Sequence, residues 1–289
     1  MIPIGELASI IHPFEMSRKI MTMWAFNSDL SYDGNPPDNK KGEKHIPVTY
    51  VVAGILTRIE EWQVIENGWK AVNSSFGVAR FHAAHLNGRT HEYEGWKPER
   101  ARKYSEALLC ALKVKAGPIT VFICGMHADS YREILSDKGR AKLGSPYQAC
   151  FNSCAALIAS HMEGCKFPLE DKFSVLMDCD SGYEEIVASF YKMKKNEGFS
   201  DHSRLGTCTP ACMEDVITLQ TADLVAYEWF KWSNTRGRGM GKIRPVLFPM
   251  IQDHIVVERY WNKQNFLFLR ERIEAEPAKD GELIIVPPT

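Results

Sequence analysis

Two early runs, MTMWAFNSDL (21–30) and VTYVVAGILT (48–57), are dense in β-branched and aromatic residues, and the stretch between them, DGNPPDNKKGEKHIP, is rich in Gly, Pro, Asn and Lys. Together they predict an antiparallel hairpin with a long polar turn. In IEEWQVIENGWKAVNSSFG the apolar positions Ile59, Trp62, Ile65 and Trp69 recur at three- and four-residue intervals, which predicts a helix stopped at Phe76-Gly77. VARFHAAHL (78–86) predicts a short strand. KPERARKYSEALLCALKVKAGP carries Pro98 near its start and Gly117-Pro118 after its end, so a second helix leads into the strand ITVFICGMH (119–127). The alternation continues with a buried helix at SPYQACFNSCAALIASHMEG, a strand at KFSVLMDCD, a helix at YEEIVASFYKMKKN and a strongly periodic helix at EDVITLQTADLVAYEWFKW. DHIVVERYWNKQNFLFLRERIE, near the C-terminus, predicts one amphipathic helix. A hairpin followed by alternating segments predicts an α/β fold: one mixed sheet opening with the hairpin, with helices on both faces.

Composition narrows the function classes. With 289 residues, 45% of them hydrophobic, the chain can bury a sizeable core, and a single domain over 1–289 is expected. Lys and Arg total 35 against 36 Asp and Glu, which leaves no global basic field for nucleic acid or anionic lipid. A polyanion site would have to be a local patch. The N-terminal stretch carries Glu6 and Glu15, and no run approaches 18 apolar residues, so no membrane association and a cytoplasmic location are expected. The eight cysteines sit mostly in apolar periodic segments, and the expectation is that they are reduced core residues.

The acidic residues are the candidate chemistry. A period of two puts Asp178 and Asp180 on the face of Leu176 at the end of their strand. Two carboxylates so close repel unless a proton or cation joins them, which suits a hard divalent metal; a solvated strand end, with Asp180 capping the helix at Tyr183, is the alternative. On the last periodic helix Gln220, Asp223 and Tyr227 lie together beside the apolar arc, so Asp223 stands at the edge of the buried face and needs a partner, a metal or an Arg. Just after it, SNTRGRGMGKIRP places Arg236, Arg238, Lys242 and Arg244 in a glycine-rich loop, either a nucleic-acid contact or a solvated loop. His202, Cys208 and Cys212 fall short of a zinc set. Of the tryptophans, Trp96 alone sits in a polar loop where it could stack on a base; Trp24, Trp62 and Trp69 read as core.

An acid on an opening strand, another on a late strand and a third on a final helix form the pattern of metal-dependent nucleases of the ribonuclease H-like superfamily. The strings TYVVAGILTRIEEW, FGVARFHAAHL with YEGW following, PYQACFNSCAALIA and LQTADLVAYE, in that order within about 21–232, resemble the bacterial family known as domain of unknown function 3800. The resemblance implies a ribonuclease H-like fold and nuclease activity on Mg²⁺ or Mn²⁺. It implies Asp29, Asp178 and Asp223 as catalytic metal ligands, Asp180 as a further ligand, Glu228 as a weaker auxiliary, and His82 as a proton carrier or substrate-orienting group. The chain departs from the family in two places. Asn27 stands where the family has its leading acid, and Asp29, two residues on and on the same strand face, is expected to take that job. His85 stands where an acid is common, which favours Mn²⁺ or Zn²⁺ over Mg²⁺. These departures motivate a second expectation, a catalytically degenerate protein of the same fold acting as a nucleic-acid-binding or scaffold module. Residues 245–289 form a C-terminal extension outside the resemblance, whose helix would cover the sheet or make a homo-oligomer contact.

Overall fold

Alternate residues of the strand Thr49–Arg58 (β2) belong to two different cores: Val51, Ala53 and Ile55 to one, Val52 and Leu56 to the other. A strand buried on both faces must lie inside a covered sheet. The computed structural model describes residues 20–28, 49–113, 119–179, 183–197, 199, 201–237 and 245–275. Ile20–Ser28 (β1) pairs antiparallel with β2, setting Trp24 opposite Gly54 and Asn27 opposite Val51. Thr120–His127 (β3) continues antiparallel on the far side of β2. Phe173–Asp178 (β4) runs parallel to β1, Leu205–Ala211 (β5) parallel to β4, and Ile255–Trp261 (β6) parallel to β3. The order across this mixed sheet is β5-β4-β1-β2-β3-β6. The expected antiparallel pairing of β1 with β2 is present, its connecting residues 29–48 lying outside the described residues, and four of the five strands read from the sequence share one sheet.

The helices are Ile59–Phe76 (α1), Ala83–Gly88 (α2), Pro98–Ala111 (α3), Ala128–Ile134 (α4), Asp137–Leu143 (α5), Pro146–Gly164 (α6), Tyr183–Lys195 (α7), Leu219–Gly237 (α8), Phe248–Asp253 (α9) and Lys263–Ala275 (α10). α1 ends as its sequence predicts: Gly77 takes φ +68° and its N–H reaches the carbonyls of Asn73 and Ser74, a left-handed cap that costs a glycine little. Trp62 and Trp69 of α1, Leu108 of α3 and Val225 of α8 pack on the Val51 face, together with Leu176 of β4. On the opposite face Cys150, Ala155 and Ile158 of α6, Phe190 of α7 and Phe266 of α10 meet Val52, Phe122 and Val175. Helices therefore cover both faces, with α8 lying on β1 and β2, and α6 on β2 and β3. α6 opens with a full capping box, Ser145 accepting from the Gln148 N–H while Gln148 Oε1 accepts from the Ser145 N–H.

Several expectations need correction. VARFHAAHL is no strand; Val78–His82 is an irregular passage into α2. DHIVVERYWNKQNFLFLRERIE is not one helix: β-branched Ile255, Val256 and Val257 join the sheet beside β3, and Asn262 and Asn265 exchange side-chain-to-backbone hydrogen bonds that start a separate α10. The apolar face of α10, Phe266, Leu269 and Ile273, is buried, with α10 lying against α4 and α5 of its own chain. α8 begins at Leu219; the residues before it form a turn in which the Asp215 and Val216 N–H groups bond to the Cys212 carbonyl. β5, α4 and α5 had no expectation attached.

The cysteine reading is corrected too. Cys124, Cys150, Cys154 and Cys208 are buried free thiols as expected, but Cys110 and Cys165 are exposed, and Cys179 is disulfide-bonded to Cys212. The pair follows from topology: β4 and β5 are parallel neighbours, so their C-terminal ends bring Cys179 beside the residue after Ala211, with Cα atoms 5.2 Å apart and the Cys179 N–H on the Ala211 carbonyl. Cys212 is therefore committed to Cys179, and burial pushes the Cys208 thiol up to about 12, away from the thiolate a zinc ligand must be. Trp96 is no open stacking platform either: it packs edgewise on Tyr93 and Tyr104, and the Arg100 guanidinium lies 4.0 Å over its ring. Among the described residues no helix is long and apolar enough to cross a membrane.

Candidate functional site

The site grows out of the irregular passage before α2. Three consecutive N–H groups, at Phe81, His82 and Ala83, have no neighbouring strand, and each buried donor left unpaired would cost about 1–3 kcal/mol. Side chains accept all three: Gln220 Oε1 at 3.1 Å, Tyr93 Oη at 3.3 Å and Asp223 Oδ2 at 2.8 Å. Gln220 and Asp223 stand three apart on α8 and so share a face of that helix. Gln220 also accepts from the Trp69 indole at 3.2 Å and donates to the Met213 carbonyl at 3.3 Å, while Tyr93 Oη donates to the Arg80 carbonyl. With these donors satisfied by side chains, Phe81–Ala83 needs no strand partner. The same bonding fixes Asp223, 3% exposed, against the start of α2.

His82 is the residue before α2, and its Nδ1 lies 3.9 Å from Asp223 Oδ2. Its ring is stacked on His85, centroids 4.1 Å apart at 14°, and His85 is stacked in turn on His91 at 4.0 Å and 25°. Glu92 Oε2 lies 3.8 Å from Nδ1 of His85, the middle ring. Near-parallel rings direct their in-plane lone pairs side by side rather than at one point, so His82 and His85 do not form a two-histidine chelate. Burial, with smaller contributions from the His82 and His91 rings, pulls the His85 pKa below the ordinary histidine value, and Glu92 opposes this only in part. Burial likewise raises the Tyr93 phenol, which stays a neutral hydrogen-bonding group.

Asp178 is the last residue of β4, half-buried, with its Oδ1 on the Cys179 N–H at 2.9 Å. Strand alternation puts it on the face of Leu176, the face that α8 covers. Asp178 and Asp223 thus stand on the same side of the sheet, each with one carboxylate oxygen oriented by a backbone N–H. Asp29, Asp180, Arg238, Lys242 and Arg244 lie outside the described residues, and Arg236 falls in the last turn of α8. The described residues bring Asp223 and His82 together, and among them no group of three His, Cys, Asp or Glu side chains is arranged to hold a metal ion. The oxygen donors Asp178 and Asp223 are of the type that Mg²⁺ or Mn²⁺ takes. Sequence reasoning missed the roles of Gln220, Tyr93 and the histidine stack; Gln220 had a signal, its place on the Asp223 arc.

No family model, curated protein or solved structure matches the chain.

Proposed function

We propose that the protein is a metal-dependent nuclease of the ribonuclease H-like type. The observation that carries this reading is the side-by-side parallel pairing of β1 and β4, with Asp178 closing β4 on the side of the sheet where α8 presents Asp223 next to His82. The order and directions of the first five strands also support it, since a strand carrying the leading acid and a late acidic strand must be neighbours for their ends to share a site. Asp29, Asp178 and Asp223 would hold Mg²⁺ or Mn²⁺, with Asp180 as a further ligand; such ions, when bound, activate water and neutralise charge on the leaving oxygen. The chain's own groups do the rest. The Ala83 and Cys179 N–H groups fix the planes of the two carboxylates, and His82, one-third exposed beside Asp223, is positioned to carry a proton or orient the phosphodiester. Arg236, Arg238, Lys242 and Arg244 would supply a local cationic contact to the nucleic-acid backbone.

The test is cleavage of an RNA and single-stranded DNA panel by the purified protein. Slow cleavage in Mn²⁺, less in Mg²⁺ and none in chelator is the expected pattern, with Asp223→Asn losing about 100-fold or more while keeping its fold. Binding without metal-dependent cleavage would instead establish the non-catalytic nucleic-acid-binding or scaffold module. Cleavage undiminished in Asp223→Asn would remove this site from consideration.

A further inference from the structure

A cavity of about 320 Å³ lies between α2, α3 and α8, directly beside the Asp223–His82 pair. Its walls include Ala83, whose N–H Asp223 holds, and Leu224, the next residue along α8. We propose that this cavity is a nucleobase pocket, taking one base of a nucleotide or strand with its phosphate at Arg89; the assignment rests on the nucleic-acid reading above. The volume stands at the small end of ligand sites, enough for one nucleoside unit. Phe81, Leu86, Ala101 and Leu224 give apolar walls for the faces of a flat heterocycle. A wholly aliphatic ligand would leave the polar groups of the lining without a use. The Asn87 amide offers both donor and acceptor, and the Glu228 carboxylate, 6% exposed, offers acceptor oxygens to an exocyclic amine or ring N–H.

The charges at the rim point to a phosphate. Arg102 is bound to Glu106 at 2.8 Å, which neutralises both. Arg89, exposed at the C-terminal cap of α2, has no ion pair among the described residues, and a guanidinium matches a phosphate bidentately. A base in the cavity would place its strand next to His82 and Asp223.

The experiment titrates the four nucleoside 5′-monophosphates against the full-length protein in chelator, so that binding is read without any metal-dependent step. At least one is expected to bind; Ala101→Phe, which fills the cavity, should weaken it about tenfold or more, and Arg89→Ala should weaken the monophosphate but leave the corresponding nucleoside unchanged. Thermal denaturation checks that Ala101→Phe is folded; Arg89→Ala, on the surface, serves if it is not. No binding by any monophosphate, or binding indifferent to both substitutions, overturns the pocket. Cleavage of the panel is scored separately: binding without cleavage keeps the pocket and removes the nuclease, whereas cleavage without monophosphate binding removes the pocket alone.

Discussion

Gln220 carries more of the site's construction than any residue proposed for its chemistry. It satisfies the Trp69 indole, the Phe81 N–H and the Met213 carbonyl at once, so Gln220→Leu leaves three buried groups without partners. A loss of about 2–4 kcal/mol in denaturant unfolding is expected, with Gln220→Glu milder because it keeps an acceptor. His85 gives a second prediction at this scale. Its folded pKa lies below its unfolded value near 6.5, so between the two the unfolded chain holds more protons and stability rises with pH. Acidification from pH 7 toward 5 should therefore lower the melting temperature, and His85→Gln should flatten that slope; an unchanged slope would mean that His161 and His254, shifted down by burial in the same way, carry it alone. The sequence shows that Asp223 sits at the edge of an apolar arc and needs a partner. It cannot show that the partner is the Ala83 backbone, 140 positions away, because every residue but proline carries the same N–H.

Elements with a long, clean period are legible in the chain: β1 and β2, α1 with its Gly77 cap, α3, α6 and α7 follow the pattern of their residues. The misread elements are those decided by distant partners. VARFHAAHL has strand-like residues, but its donors are claimed by Gln220, Tyr93 and Asp223. Residues 253–274 carry helical spacing throughout, yet the open edge of β3 captures the first seven residues from Ile255. The Cys179–Cys212 bond is invisible locally for the same reason, since it depends on β4 and β5 being neighbours. It closes a loop spanning 33 positions that contains α7 and β5, and by loop-closure entropy it should contribute about 3–4 kcal/mol. Dithiothreitol, or Cys212→Ser, is expected to lower stability by that order. The Cys110→Ser variant, at an exposed free thiol, is the control and should change little.

At the scale of the whole molecule, the sheet is unequal. β1 lies at its middle, hydrogen-bonded on both sides, whereas β6 is an edge with most of its residues partly or fully exposed. Hydrogen exchange should accordingly be slowest in β1, β2 and β4 and clearly faster in 255–261; equal protection of β6 and β2 would contradict the sheet order. The same central place of β1 has a consequence for synthesis. One edge of β1 meets β2, which begins at Thr49, but the other waits for β4, and Ile20 pairs with Phe173. At about 5–20 residues per second, a ribosome needs roughly 10–30 s to supply that partner. Throughout that interval the emerging chain carries an open strand edge, so stalled chains ending before residue 173 should be held by chaperones that bind exposed strands, and chains extended past β6, which also covers the edge of β3, should be released.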